Sequence, residues 1–336
     1  QDARKPKTSA NGSREVNMQD VAIQPALSAI PASNRVQRLA LTMWRHRWLY
    51  LLLIPPMLYY LIFRYIPIYN AQIAFKDFFA LKGVEGSPWV GLQHFETFFK
   101  SFYFNELIIN TIVFSAAKLI LGLPIAIILA LAIHESRFWF FRSLVQTVTY
   151  LPHFLSWVIM LGLLLALLSP SSGMINEAIK LFGGQPIAFL TSPAWFRQVV
   201  VLSDIWKETG WSTILYLAAL LSVNPELYEA AEVDGASRWR RIWHISLPSI
   251  IPVVVLVTLL RLGNILDGGF SQIWVLYSVP VYSVGDIIDT WVYRSGVLDF
   301  QFSLATAVGL FKGVIGLILI VAANHIAKRV AQQSLF

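Results

Sequence analysis

Six long apolar runs separated by polar stretches organise the chain. They cover residues 46–66, 106–133, 143–168, 197–222, 249–270 and 304–326. Each reaches the roughly 20 residues that cross a bilayer as helix. The runs are continuous and lack period-two alternation, so they predict helices and not the strands of a barrel. Trp44 and Trp48 open the first run, and Tyr59, Tyr60 and Tyr65 close it, an aromatic belt at each interface. Pro55-Pro56 lies inside that run and is expected to kink it. The fold class that follows is all-α and polytopic, with about six transmembrane helices.

The polar stretches complete the layout. Residues 1–40 form a Ser/Pro/Ala-rich stretch, expected to be a flexible cytoplasmic arm, and its first 34 residues lack the apolar core of a cleavable signal. Residues 41–336 are expected to form one transmembrane domain that carries a polar hairpin at 223–248. Residues 67–105 and 169–196 are punctuated by Gly and Pro, and a short helix is expected within the second at 174–182. Residues 271–303 are amphipathic and aromatic, and are expected to lie partly in the interface. Arg35, Arg38, Arg45 and Arg47, then Arg137 and Arg142, then Arg238, Arg240 and Arg241, then Lys328 and Arg329 fall on one side of a six-span layout. By the positive-inside rule both termini and the 223–248 hairpin are cytoplasmic. Lys76, Lys82, Lys100, Lys180 and Arg197 depart from the rule, in longer loops that count less.

Composition agrees with a membrane protein: 56% of residues are hydrophobic and only 13% charged, where soluble domains carry about 25%. Mean hydropathy is +0.61. The net charge of +7 is read as basic cytoplasmic loops and not as a nucleic-acid surface. The absence of cysteine excludes disulfides, thiolate catalysis and cysteine zinc sites. The six histidines are scattered without ligand spacing, so no metal site is expected. No Ser/His/Asp set or carboxylate pair stands out, so no catalysis is expected.

The hairpin has internal design. Asn224, Pro225 and Glu226 form a helix start: a capping side chain, a proline where no N–H is needed, and an acid in the first turn. Ala230-Ala231 offers a small-residue surface that another protein can approach closely. Gly235 is expected to end this helix at positive φ. A second, basic and aromatic helix is expected over 236–245, stopped by Leu247-Pro248.

Glu229-Ala230-Ala231, then Gly235, then Ile245-Ser246-Leu247-Pro248 resembles the EAA motif of bacterial ABC importer permeases, without departure from its spacing. The stretches 48–78, 86–95, 146–158, 205–211 and 226–242 are similar to the branch that imports complex oligosaccharides, polyuronide fragments and alginate oligosaccharides among them. The resemblance implies the type I importer permease fold and a place in the bacterial inner membrane. It implies that Glu229, Ala230, Ala231, Asp234, Gly235, Arg238, Ile245, Leu247 and Pro248 belong to the ATPase-coupling loop, with Glu229 meeting a basic residue of the ATPase and Gly235 forming the bend. It further implies two ATPase subunits holding ATP and Mg, a second permease subunit of different sequence, and an extracytoplasmic solute-binding protein. No cofactor is expected in this chain. The segment Leu181-Phe182-Gly183-Gly184-Gln185 looks like an ATPase signature, but the chain has no phosphate loop and the segment falls on the outer side.

Polar residues inside spans face a bundle interior or a wet cavity. Asp204, Lys207, Glu208 and Trp211 share one face of the fourth run, with Trp206 just off it. Gln146, Tyr150, His153 and Trp157 form a stripe on the third, and Arg261, Asn264 and Gln272, with Asp267 nearby, a stripe on the fifth. Aromatics stack on sugar rings while amides and charges bond hydroxyls or carboxylates, so these stripes are candidates for a sugar pathway. The alternative for each is interhelical pairing, with Lys207 neutralising Asp204 or Glu208, and Lys118 and Lys312 only snorkelling or paired. Two other readings stay open: an ion-coupled secondary sugar transporter and a membrane-bound glycan enzyme.

Overall fold

The computed structural model describes residues 42–263 and 265–331. The expected N-terminal arm, 1–40, and Asn264 lie outside the described residues. The chain divides into two compact units, Gln1–Pro67 and Ile68–Phe336.

In the first unit, helix α1 (Arg47–Tyr60) runs through Pro55 and Pro56 without ending and passes into a π-helical turn, Leu61–Tyr65. None of its residues is buried, and an apolar surface all round is what lipid demands. Arg47 lies over the rings of Trp44 and Trp48, at 5.2 and 5.6 Å, an interfacial anchor.

The second unit is built on two long helices, α3 (Phe104–Glu135) and α7 (Pro193–Leu221). Before them, α2 (Gln93–Phe99) sinks Phe98 into a core with Leu107, Ile288, Trp291 and Val308. Gly122, Ala126 and Ala130 of α3 are buried at four-residue intervals, and this small-residue stripe lets α7 approach closely. There the Thr213 hydroxyl of α7 donates to the Ala126 carbonyl at 3.2 Å. Two apolar clusters flank the polar middle of this pair. One gathers Phe114, Phe196, Val200, Ile205, Ile273 and Ile287, the other Ala126, Ala130, Tyr216, Leu220, Ile250 and Val257.

Of the six predicted spans, four are helices long and apolar enough to cross a membrane: Arg47–Phe75, Phe104–Glu135, Arg238–Gly263 and Phe302–His325. The last is the greater part of α13 (Phe302–Ala331). The third prediction, 143–168, needs correction. It is α4 (Trp139–Tyr150) and α5 (Trp157–Leu168), bent by 114°. Pro152 enters a single 3₁₀ turn, Leu155 is extended, and the Ser156 hydroxyl accepts from the Ile159 N–H at 3.3 Å to start a new helix. The fourth, α7, has the length to cross, about 43 Å for its 29 residues, but its charges keep it below the apolarity of the others.

The fifth prediction is displaced. Its helix begins with α9 (Arg238–Arg241), continues through a π-helical turn at Ile242–Ser246, and runs on as α10 (Leu247–Gly263). Leu247-Pro248 therefore does not stop the second hairpin helix. The wide π turn accommodates the proline's missing N–H, and hairpin and span become one rod. At the other end the helix stops at Gly263, not 270. Ile265–Asp267 is a 3₁₀ turn, and Gly268 and Gly269 take φ of +56° and +91°.

Residues 271–303 contribute to the protein core. Short helices α11 (Phe270–Leu276) and α12 (Ile288–Tyr293) carry Ile273 and Ile287 to full burial beside α7. Outside the spans, α6 (Met174–Leu181) forms where a short helix is expected. Its buried Asn176 staples the loop, donating to the carbonyls of Leu168, Ser169 and Ile187 and accepting from Ile187 N–H.

Candidate functional site

Two places bring the candidate residues together. The first is the hairpin. Helix α8 (Pro225–Val233) starts as expected, with the Asn224 side chain accepting from Glu226 N–H at 3.1 Å and Pro225 in the first turn. It ends in a Schellman turn: Ala236 N–H donates to Ala231 O at 2.8 Å and Gly235 N–H to Glu232 O at 3.0 Å. Gly235 has φ +71°, which an L side chain resists, and open space around its missing Cβ. The turn folds α9 back, capped by Ser237. Arg241 reaches Glu232 at 3.2 Å, and the Tyr228 hydroxyl meets the buried Ser246 hydroxyl at 3.0 Å. Glu229, Ala230, Asp234, Gly235 and Arg238 are exposed, and so are Val233 and Trp239. Leu247 and Ile245 are half-buried at the root.

The Gly183-Gly184 pair closes α6 with the same hydrogen-bond pattern, Gly184 N–H to Ile179 O and Gly183 N–H to Lys180 O, both 2.9 Å. Gly183 has φ +80°. The glycines of the signature-like segment thus have a helix to terminate.

The second place is a cavity of about 460 Å³ among α3, α7, α10 and the 265–269 turn. Asp204, Glu208, Trp211, Arg261 and Asp267 line it, together with Ser115, Lys118 and Ser212. Its charges are tied down. Lys118 of α3 pairs with Asp204 at 3.2 Å and donates to Gln272 Oε1 at 2.6 Å and to the Gly268 carbonyl at 3.1 Å. Lys207 pairs with Glu208 at 3.4 Å and donates to the His153 carbonyl at 2.6 Å. His153 Nδ1 is 3.0 Å from Glu208 Oε2, and its ring stacks on Trp211 at 4.5 Å, with planes 5° apart. Lys312 joins Asp267 at 2.6 Å and Asp289 at 2.7 Å. Arg261 donates to the Ser212 hydroxyl.

The stripes therefore divide. Asp204, Glu208, Trp211, Arg261 and Asp267 reach the cavity. His153 and Lys207 brace it from behind, and Trp157 lies beside Lys207, 5.7 Å from its ammonium. Gln272 is buried, its amide donating to Val200 O and the Ser203 hydroxyl, so it holds α11 against α7. Trp206 belongs to a separate apolar groove with Leu164, Phe189 and Trp195. Gln146 and Tyr150 of α4 are not among the cavity's lining residues. At Gly210 a Cβ would collide with the Thr149 carbonyl, so α7 meets α4 backbone to backbone.

Sequence reasoning had Lys118 only as snorkelling or paired; it is paired, and it is the organising cation. The available signal was a lone lysine amid a long apolar helix. Sequence reasoning missed the clamp at the start of α7, where Asn110 donates to Asp286 O and accepts from Arg197 at 2.7 Å, while Asp286 pairs with Arg294. Burial works against the charge on Arg294, but Asp286 more than offsets it, and the guanidinium holds its proton more tightly than usual.

Residues 122–332 match the family described as the binding-protein-dependent transport system inner membrane component. The chain is 43% identical over 313 residues to the polygalacturonan/rhamnogalacturonan transport system permease protein YteP of Bacillus subtilis, covering 93% of this chain and 98% of that one. It is 45% identical over 292 residues to protein LplB of the same organism, covering 87% and 92%. A chain in the crystal structure of a bacterial ABC transporter involved in the import of the acidic polysaccharide alginate superposes with a TM-score of 0.82 at 42% identity, over 88% of this chain and 99% of that one. A chain of a bacterial alginate ABC transporter, in complex with an alginate pentasaccharide-bound periplasmic protein, gives the same TM-score at 41% identity, over 89% and 100%. The chain belongs to the inner-membrane component family of binding-protein-dependent transport systems and is a multi-pass permease subunit of an ABC importer, not an enzyme.

Proposed function

We propose that this permease forms half of a translocation pathway for acidic oligosaccharides of the polyuronide class. The cargo is handed over by an extracytoplasmic binding protein, and transport is driven by separate ATPase subunits that hold ATP and Mg. The other half of the pathway is a second permease of different sequence. Both termini and the 223–248 hairpin face the cytoplasm. The relatives that transport polygalacturonan and alginate support the cargo class. The observation that carries the coupling role is the hairpin itself: an exposed Glu229-Ala230 surface on a capped helix, turned by Gly235 into α9, which continues as α10. Force applied at α8 passes through the Tyr228–Ser246 contact into a helix that bears Arg261 at its far end. An ATPase bound there can therefore shift the cavity between two states, provided nucleotide favours one of them.

The test is the importer reconstituted with its native partners in proteoliposomes. Gly235→Pro and Glu229→Lys should abolish cargo-stimulated ATP hydrolysis while the chain still inserts and assembles. Undiminished stimulation in both variants would sink the coupling role. Uptake that survives ATP depletion and collapses with the ion gradient would point instead to an ion-coupled transporter.

A further inference from the structure

The charges around the 460 Å³ cavity are not balanced alike. Each wall carboxylate touches a cation: Asp204 has Lys118, Glu208 has Lys207, and Asp267 has Lys312, which it shares with Asp289. Arg261 is different. Its side-chain hydrogen bond goes to a neutral hydroxyl, that of Ser212, and among the described residues no carboxylate is in ion-pair contact with it. Its other terminal nitrogen lies over Gly122, 3.9 Å from where a Cβ would stand, on the small-residue stripe of α3. Among the described residues every wall carboxylate is thus in contact with a lysine, and the guanidinium is the wall cation that touches no carboxylate.

We infer that Arg261 receives a carboxylate of the cargo inside the membrane, with Trp211 as the platform for the adjoining pyranose ring. This deepens the reading of the cargo as an acidic oligosaccharide and rests on it. A guanidinium offers two parallel N–H donors matched to a carboxylate, and it keeps its charge when buried. In a cavity walled by apolar helices such a pair is stronger than in water. Arg261 is also positioned. Ser212 ties one terminal nitrogen to α7, one residue beyond Trp211, so cation and indole are held by neighbouring residues. The indole lines the cavity at 47% exposure, while His153 covers one of its faces and is anchored in turn by Glu208. What remains is an apolar ring surface beside a cation, the two features a uronate presents in reverse: a C–H face and a carboxylate. The paired acids matter as well. Left bare, Asp204, Glu208 and Asp267 would repel such a cargo, and their lysine contacts lower that barrier. One cation free of carboxylate contact, in place of a cluster, binds firmly enough for entry and loosely enough for release. The pathway itself then selects acidic sugars, independently of the binding protein.

The experiment uses the complete importer in proteoliposomes. Uptake is measured for a uronate oligosaccharide and for its fully carboxyl-reduced, neutral counterpart of equal length, each at saturating concentration. Arg261→Gln should lower the acid-to-neutral uptake ratio about ten- to hundredfold, the scale of one charge-assisted bidentate contact. Arg261→Lys should retain part of that ratio. An unchanged ratio in Arg261→Gln overturns the assignment, and so does an equal loss of both cargoes in both variants, which would mark Arg261 as structural. A wild-type importer that carries the neutral form as well as the acidic one would instead overturn the cargo reading, and the assignment with it.

Discussion

The hairpin at 224–248 and the cavity between α3, α7 and α10 obey opposite rules. The hairpin is written contiguously. Its cap, its glycine turn and its exposed Glu229-Ala230 surface come from neighbours in sequence, and its two arms are tied by Arg241 to exposed Glu232 and by Tyr228 to buried Ser246, both within 20 positions. The cavity is assembled from afar: Lys118, Asp204 and Gln272 come from three elements and meet at one ammonium. A surface meant for another protein can be specified locally, because its partner supplies the rest. A wet site inside a membrane cannot, because every charge in it needs a companion from another helix. Substitutions in the cavity should therefore cost stability first, and substitutions in the hairpin should cost coupling first.

The largest expected effect tests the cavity side. Lys118→Met removes the cation from Asp204, whose side chain is only 23% exposed, and leaves Gln272 and the Gly268 carbonyl without their donor. Stranding one member of a buried pair costs about 3–5 kcal/mol. The detergent-solubilised complex should melt at a markedly lower temperature, and Lys118→Met with Asp204→Asn should recover part of the loss. Additive losses in that double-mutant cycle would mean that the pair is not the bond that matters.

This contrast explains what was legible in the chain. The spans of α3 and α13 were readable because apolar runs in lipid must be helical. The hairpin turn was readable because only a glycine ends a helix at φ +71° without strain. The break between α4 and α5 was hidden because both helices fall within one predicted apolar run, 143–168, although Pro152 and Ser156 marked the place. The continuity of α9 with α10 was misread because a proline usually stops a helix, and a π turn is invisible to periodicity. The division of the polar stripes was beyond reach. Trp206, Trp211 and Gln272 carry no mark telling a groove, a cavity and a buried clamp apart. Lys118 was readable as snorkelling or paired, but its partners were not, because they lie 86 and 154 positions away.

A middle-sized effect probes the turn. A Cβ on Gly235 would meet nothing within 4 Å, so Gly235→Ala tests backbone strain alone. Holding alanine in the left-handed region costs about 1–2 kcal/mol. The cost should appear as faster amide hydrogen exchange at Gly235 and Ala236, with no change in the melting of the membrane core. Gly235→Asn should be milder, since asparagine tolerates this region. If Gly235→Ala lowers the melting temperature as far as Lys118→Met does, the hairpin is part of the core, and the contrast between the two regions fails.

The smallest effect is the most diagnostic of how the hairpin is held. Arg241 and Glu232 pair at 3.2 Å across the turn, but the Glu232 side chain is 77% exposed. Water and salt screen such a pair, and its contribution is expected to stay below about 0.5 kcal/mol. Glu232→Gln should therefore leave cargo-stimulated ATP hydrolysis within about twofold of wild type at low ionic strength. At high ionic strength, where the native pair is screened as well, the two proteins should be indistinguishable. The Schellman turn and the Tyr228–Ser246 contact remain in the variant, and on this account they keep the two arms together. A loss of coupling in Glu232→Gln as large as that expected for Gly235→Pro would mean that the arms are clamped by charge. The hairpin would then depend on a tertiary pair just as the cavity does.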